Sequence, residues 1–88
     1  MIKAWTEEAW DDYLYWQQND RRVLKRVNQL LRDIERGGGG TGIGKPELLK
    51  DNFQGFWSRR IDTEHRLIYA IRDGQIFIIG CRYHYEPK

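Results

Sequence analysis

Five basic side chains lie within or beside segments that are otherwise strongly apolar: Arg59, Arg60, Arg66, Arg82 and His84. One interpretation is that they coat the solvated face of a half-buried antiparallel sheet, where charged residues are common. The other is that they form a basic surface for a polyanion such as RNA. The residue types alone leave both interpretations open.

Aromatic residues accompany these charges along the same segments. Tyr83 and Tyr85 flank His84, where their rings could stack on unpaired bases, as in proteins that bind single-stranded RNA. Trp57 and Tyr69 are expected to pack in the core instead, because buried aromatic rings contribute large apolar areas.

Strand alternation assigns the arginines to faces of the predicted sheet. Arg60 is expected on the same side as Ser58 and on the opposite side from Trp57 and Arg59. Arg66 is expected to share a side with apolar residues of its own strand.

Nucleotide and metal sites are disfavoured by the sequence. Residues 39–45 spell G-x-x-x-x-G-K, but Pro46 follows where a phosphate-binding loop carries Ser or Thr, and a helix precedes the segment. Such dense glycine predicts that residues 37–44 form a flexible linker. With two histidines and one cysteine in the chain, we predict no metal site and no cofactor. We expect His65 to be a packed or solvent-facing residue and Cys81 to fill space in the core.

The composition predicts one small folded domain spanning residues 1–88. Four Trp, five Tyr and three Phe supply large apolar side chains, and a net charge of +2 says little about partners. No segment approaches the roughly 20 apolar residues of a membrane span, and the N-terminus lacks a signal-peptide pattern. We therefore expect a cytoplasmic protein with no membrane partner.

Two consecutive helices are predicted in the first half of the chain, after a short strand at 2–5. Thr6 is a suitable N-cap for a helix over 7–18, and Asn19 and Asp20 interrupt it and can cap a second helix. The second helix ends near Gly37. Its apolar side chains recur at three- and four-residue steps and are Val23, Val27, Leu30, Leu31 and Ile34.

The second half of the chain predicts a three-stranded meander over 55–61, 65–71 and 75–83, with Asp73 and Gly74 in a hairpin turn. Residues 46–50 are predicted to form one helical turn that starts at a proline. The fold class is therefore α+β, with an N-terminal strand and a helical hairpin packed on one face of a mainly antiparallel, twisted sheet.

Five stretches of this sequence resemble YoeB-type toxins of the RelE/ParE superfamily. They are WTEEAWDDYLYW at 5–16, GKPELLK at 44–50, GFWSRRI at 55–61, EHRLIY at 64–69 and CRYHY at 81–85. With the helix between them, these stretches cover nearly the whole chain. The resemblance implies a RelE-like version of the fold given above.

The resemblance also implies a set of site residues. The family's catalytic glutamate, arginine and histidine match Glu47, Arg66 and His84. Supporting RNA- and phosphate-binding positions match Lys50, Arg60 and Tyr85. The residue types suit metal-free cleavage, because a glutamate can accept the proton of an RNA 2′-hydroxyl, an arginine can hold the phosphate and a histidine can protonate the leaving oxygen.

The activity implied by the resemblance is that of a ribosome-dependent mRNA endonuclease, the toxin of a type II toxin–antitoxin system. The implied partners are a YefM-like antitoxin, the ribosome with its mRNA, operator DNA bound through the toxin–antitoxin complex, and a second copy of the chain in a homodimer. Two alternatives stay open. One is a toxin of the same fold that inhibits another target, such as gyrase, by binding; the other is a nucleic-acid-binding module without catalysis.

Overall fold

The computed structural model describes residues 1–83, and residues 84–88 lie outside the described part of the chain. Strands and helices are numbered in chain order. They are β1 (Ile2–Trp5), α1 (Glu7–Asn19), α2 (Arg21–Gly37), β2 (Glu47–Leu48), a 3₁₀ turn (Asp51–Phe53), β3 (Trp57–Arg60), β4 (Arg66–Arg72) and β5 (Gln75–Gly80).

Both helices begin where the capping residues predict. The Thr6 hydroxyl accepts a hydrogen bond from the Ala9 backbone N–H at 3.1 Å, and the Asp20 carboxylate accepts from the first turn of α2. Each cap satisfies backbone donors that have no partner within the helix. The rings of Trp5 and Trp10 meet edge to face across the start of α1, with centroids 5.6 Å apart. This contact fixes the direction in which the chain enters the helix.

The strands form one five-stranded sheet in the order β1-β5-β4-β3-β2, in which β1 runs parallel to β5 and the other pairs are antiparallel. The predicted α+β class is therefore confirmed. The helical turn predicted for residues 46–50 is wrong, because Glu47 and Leu48 pair with β3 and the 3₁₀ turn begins only at Asp51. Pairing with β3 gives this short segment hydrogen-bond partners that a single isolated helical turn lacks.

The last strand is shorter than predicted and ends at Gly80 rather than at residue 83. Side chains of α1 form hydrogen bonds with the backbone groups of Cys81, which would pair with a neighbouring strand if β5 continued. The Asp12 carboxylate accepts from the Cys81 N–H at 3.1 Å, and Trp16 Nε1 donates to the Cys81 carbonyl at 2.8 Å. The chain therefore leaves the sheet at Cys81 and turns along α1.

The core lies between the helices and one face of the sheet. Alternate residues of β4 and β5 point toward the apolar side of α2, and the fully buried members include Leu67, Tyr69, Ile76 and Ile78. The facing residues on α2 are Val27, Leu30, Leu31 and Ile34. Within residues 1–83, neither helix has the length and apolar character needed to cross a membrane.

Candidate active site

The sheet face opposite the helices carries two arginines side by side. Arg60 on β3 is the register partner of Arg66 on β4, and directly opposed residues of an antiparallel pair project from the same face. Arg60 is exposed and Arg66 is half-buried. Like charges in this arrangement repel each other, so the pair costs stability unless an anion binds between or beside them.

Neither guanidinium is paired with a carboxylate among residues 1–83. Arg66 Nη1 donates to two backbone carbonyls, those of Asp62 at 2.8 Å and His65 at 3.0 Å. These bonds orient the Arg66 side chain without neutralising its charge. The surface therefore keeps two positive groups available to a phosphodiester.

Glu47 lies on the same face, one strand further out. It pairs in register with Ser58, two residues before Arg60 on β3, and its side chain is exposed. From the strand spacing and the rise per residue, the Cα atoms of Glu47 and Arg66 are roughly 12 Å apart. Long Glu and Arg side chains can reach toward each other across that distance with a ribose and its phosphate between them.

Lys50 is exposed and stands immediately before the 3₁₀ turn, where its backbone is extended. Its carbonyl accepts from the Phe53 N–H at 3.1 Å, which closes the turn. Lys50 therefore sits three residues along the chain from Glu47, at the same outer edge of the sheet. Among the described residues, no three His, Cys, Asp or Glu side chains come together as a metal site.

The end of the described chain returns to Arg66. The Tyr83 carbonyl accepts from the Arg66 backbone N–H at 3.1 Å, and the Tyr83 N–H donates to His65 Nδ1 at 2.7 Å. His65 is buried and its ring meets that of Trp16 edge to face at 4.7 Å, so of the two expected positions, packed or solvent-facing, it takes the packed one. The predicted site residues His84 and Tyr85 follow Tyr83 and lie outside the described residues.

Arg82 does not lie on a strand, contrary to the predicted span of β5. Its guanidinium stacks over the Tyr15 ring, 3.5 Å from the centroid, and 4.7 Å from the centroid of Tyr83. Cys81 beside it is buried, as expected, and burial together with the nearby Asp12 charge raises the pKa of its thiol to about 12. Both side chains serve to pack the chain against α1.

Arg59 is the clearest departure from the interpretation that the arginines coat a solvated face. Its side chain points toward the helices and is 0% exposed. Nε donates to the Tyr69 hydroxyl at 2.9 Å, and Nη1 donates to Asp33 Oδ2 at 2.5 Å. A buried guanidinium needs partners for its five N–H groups, and the remaining ones come from the glycine-rich loop.

Residues 38–44 wrap around this guanidinium and are not the free linker that glycine content predicts. Arg59 donates to the carbonyls of Gly38, Gly39, Thr41 and Ile43 over 2.8–3.4 Å. The Ile43 N–H donates to Asp33 Oδ2 at 3.0 Å, and the Tyr69 hydroxyl donates to the Gly39 carbonyl. The glycines allow this close wrapping. At Gly44, which has a φ of +82°, an added Cβ would stand 2.8 Å from Leu30 Cδ2.

The pKa shifts of this cluster follow from its hydrogen bonds. The bond from Arg59 is the main cause that lowers the pKa of Asp33 below its ordinary 3.8, and the Ile43 N–H adds to the effect. Burial raises the pKa of Tyr69, and the hydrogen bond from Arg59 only partly offsets that. At neutral pH the cluster therefore holds a carboxylate, a guanidinium and a neutral phenol.

The family model for YoeB-like toxins of bacterial type II toxin–antitoxin systems matches residues 5–85. This chain belongs to that family. Among curated relatives, Toxin YoeB of Escherichia coli strain K12 is 57% identical over 85 residues, which cover 97% of this chain and 100% of that protein.

Solved structures of the family share the fold. The YoeB/ParE toxin from Agrobacterium tumefaciens has a TM-score of 0.93 at 42% identity and covers 97% of this chain and 100% of its own. YoeB from Staphylococcus aureus, solved in a heterotetrameric complex with YefM, has a TM-score of 0.91 at 48% identity and covers 97% and 98%. The same S. aureus toxin is also known as a dimer. The chain is thus a toxin of the type II toxin–antitoxin class.

Sequence reasoning missed the partners of Arg59. Strand alternation already put Arg59 in phase with Trp57, on the side that packs against the helices, and a buried arginine requires acceptors. Asp33 was the available signal, since it lies next to Ile34 and three residues after Leu30, at the border of the apolar stripe of α2. The residue types of the loop gave no indication that its carbonyls accept the other hydrogen bonds of Arg59.

Proposed function

We propose that the protein is a ribosome-dependent mRNA endonuclease and that its cleavage site is the sheet face carrying Glu47, Arg60 and Arg66. The observation that supports this most strongly is the opposed Arg60–Arg66 pair, which has no carboxylate partner within residues 1–83. Because directly opposed like charges repel each other, a bound anion would stabilise this pair, which favours an anion-binding role for this face. The chain also belongs to the YoeB-like toxin family, and a toxin acts on a target in the cell.

In the proposed reaction, the 2′-hydroxyl of the RNA attacks the adjacent phosphate. Glu47 accepts the hydroxyl proton as general base, which its exposed position on β2 permits. Because the RNA supplies its own nucleophile, no metal and no cofactor are required. The P–O5′ bond breaks, and the product carries a 2′,3′-cyclic phosphate or the 3′-phosphate formed when water opens it.

Arg66 holds the phosphate and stabilises the charge that builds up on its oxygens in the transition state. Arg60 and Lys50 add positive charge beside it. We assign His84 as the acid that protonates the leaving 5′-oxygen, since a histidine titrates near neutrality, and Tyr85 as a stacking surface for a base. The roles assigned to His84 and Tyr85 are based on the family resemblance alone.

The proposed partners follow from the same relatives. The S. aureus toxin is known with YefM and as a dimer, so we propose a YefM-like antitoxin and a homodimer for this chain. Operator DNA would be bound through the toxin–antitoxin complex. The ribosome presents the mRNA, which makes the cytoplasm the proposed place of action.

The test is cleavage of a defined mRNA on programmed ribosomes by the wild type and by Arg66→Ala. Arg72→Ala is the matched control, because Arg72 lies on the same strand and face about 20 Å away. We expect Arg66→Ala to lower the rate at least about 100-fold, as for loss of a transition-state charge partner, and Arg72→Ala to cleave like wild type. Equal activity of all three proteins would contradict the proposed site.

A further inference from the structure

The Arg59 cluster, defined as Arg59, Asp33 and Tyr69, joins three separate elements to one loop. Asp33 comes from α2, Arg59 from β3 and Tyr69 from β4. Besides the hydrogen bonds among these three side chains, Arg59 and Tyr69 donate hydrogen bonds to backbone carbonyls, and all of these carbonyls belong to the loop 38–44. The cluster therefore links α2 to β3 through the Asp33–Arg59 pair and fastens the loop to this rigid core.

The fastened loop leads directly to Glu47. The Gly44 carbonyl accepts from the Arg60 N–H at 2.7 Å, Lys45 follows with a φ of +51°, and Glu47 is three residues beyond Gly44. β2 itself is only two residues long and lies at the sheet edge. So short an edge strand has little stability of its own, and its position depends on what holds the chain on either side.

We propose that Arg59 is a positioning residue for Glu47, acting with Asp33 and Tyr69 through the loop; this rests on the proposed function. A general base works only within hydrogen-bond reach of the proton it takes, and a displacement of about 1 Å can cost roughly 100-fold in rate. The loop carries Glu47 and not Arg66. Loosening it moves the base while the phosphate-binding arginine stays in place on β4.

Tyr69→Phe removes one hydroxyl that accepts from Arg59 and donates to the Gly39 carbonyl. Tyr13→Phe is the matched control, because it removes a hydroxyl that donates to Asn28 Oδ1 at 2.8 Å, away from the loop. On programmed ribosomes, we expect Tyr69→Phe to lower the single-turnover cleavage rate about 10- to 100-fold, with an unchanged half-saturating concentration. Tyr13→Phe should cleave at the wild-type rate.

The same change in a Glu47→Ala background separates positioning from general destabilisation. If Tyr69 acts through Glu47, then Tyr69→Phe causes no further loss once Glu47 is gone. Equal fold losses in both backgrounds, or a wild-type rate for Tyr69→Phe, would overturn the inference. Full activity of Glu47→Ala alone would instead overturn the proposed function, so the two failures are distinguishable.

A second readout does not depend on cleavage. Asp33→Asn weakens the cluster at a side chain that is 30% exposed, so the fold should tolerate it. Amide hydrogen exchange is expected to quicken at Arg60, whose N–H donates to the Gly44 carbonyl, and at Leu49, which donates to the Phe56 carbonyl. Exchange in the core strand β5 should stay unchanged. Unaltered exchange at Arg60 and Leu49 would contradict the role of the cluster.

Discussion

Replacing Gly42 with alanine is expected to destabilise the protein at the centre of the Arg59 cluster. Gly42 has a φ of +126°, outside the small left-handed region that other residues occasionally adopt. An added Cβ would overlap Asp33 Oδ2 and stand 3.0 Å from Arg59 Nη1. Alanine therefore fits only if the carboxylate moves away from the buried guanidinium.

The expected size of the effect has two parts. A non-glycine residue held in this backbone region costs about 1–3 kcal/mol. Loss of one partner of the buried Arg59 side chain costs about 1–3 kcal/mol more. The free energy of unfolding should therefore fall by about 2–6 kcal/mol, a large part of the roughly 5–15 kcal/mol typical of small domains. The corresponding fall in Tm is at least about 8 °C.

The assay is urea unfolding followed by tryptophan fluorescence, with thermal unfolding alongside. Gly37→Ala is the matched control, because Gly37 ends α2 and has no atom within 4 Å of an added Cβ. Alanine is the better helix former, so this control should gain up to about 1 kcal/mol. Equal stability of Gly42→Ala and Gly37→Ala would refute the reasoning about the loop.

Two further predictions concern titratable groups. Burial and the Asp12 charge raise the pKa of Cys81 to about 12, so iodoacetamide should alkylate this thiol far more slowly in the folded protein than in urea at pH 8; equal rates would contradict its burial. Because Arg59 lowers the pKa of Asp33 below 3.8, the stabilisation from this pair is fully present above that pH and is lost as pH falls through the lowered pKa. Asp33→Asn should therefore flatten the acid limb of the unfolding curve, and an unchanged limb would count against the pair.

The helices and their ends could be predicted from the sequence because the determinants are local. Thr6 and Asp20 cap the helices with their own side chains, and the apolar stripe of α2 repeats within a few residues. The hairpin at Asp73 and Gly74 is equally local, since both residues adopt positive φ angles in the turn.

The features that escaped the sequence depend on distant partners. β2 exists because Glu47 and Leu48 meet β3, and β5 stops because Asp12 and Trp16 bind Cys81 from α1. Neither contact can be predicted from the pattern of neighbouring residues, because the partners are far apart in the sequence.

For the site, strand alternation placed Arg60 on the open face, and the pairing of β3 with β4 brought Arg66 beside it. The same alternation set Arg59 on the core side, but only the folded loop identifies what it binds. Glu47 and Lys50 came from the family resemblance, and the structure adds the strand that carries Glu47.

The most direct test of the central claim is the chemistry of the product ends when the wild-type protein, shown to be folded, acts on an mRNA of defined sequence on programmed ribosomes. Attack by the RNA 2′-hydroxyl predicts a cut in the ribosomal A site and an upstream fragment ending in a 2′,3′-cyclic phosphate or a 3′-phosphate. The downstream fragment should begin with a 5′-hydroxyl. An upstream fragment with a free 3′-hydroxyl, or no cleavage at all, would contradict the proposed endonuclease.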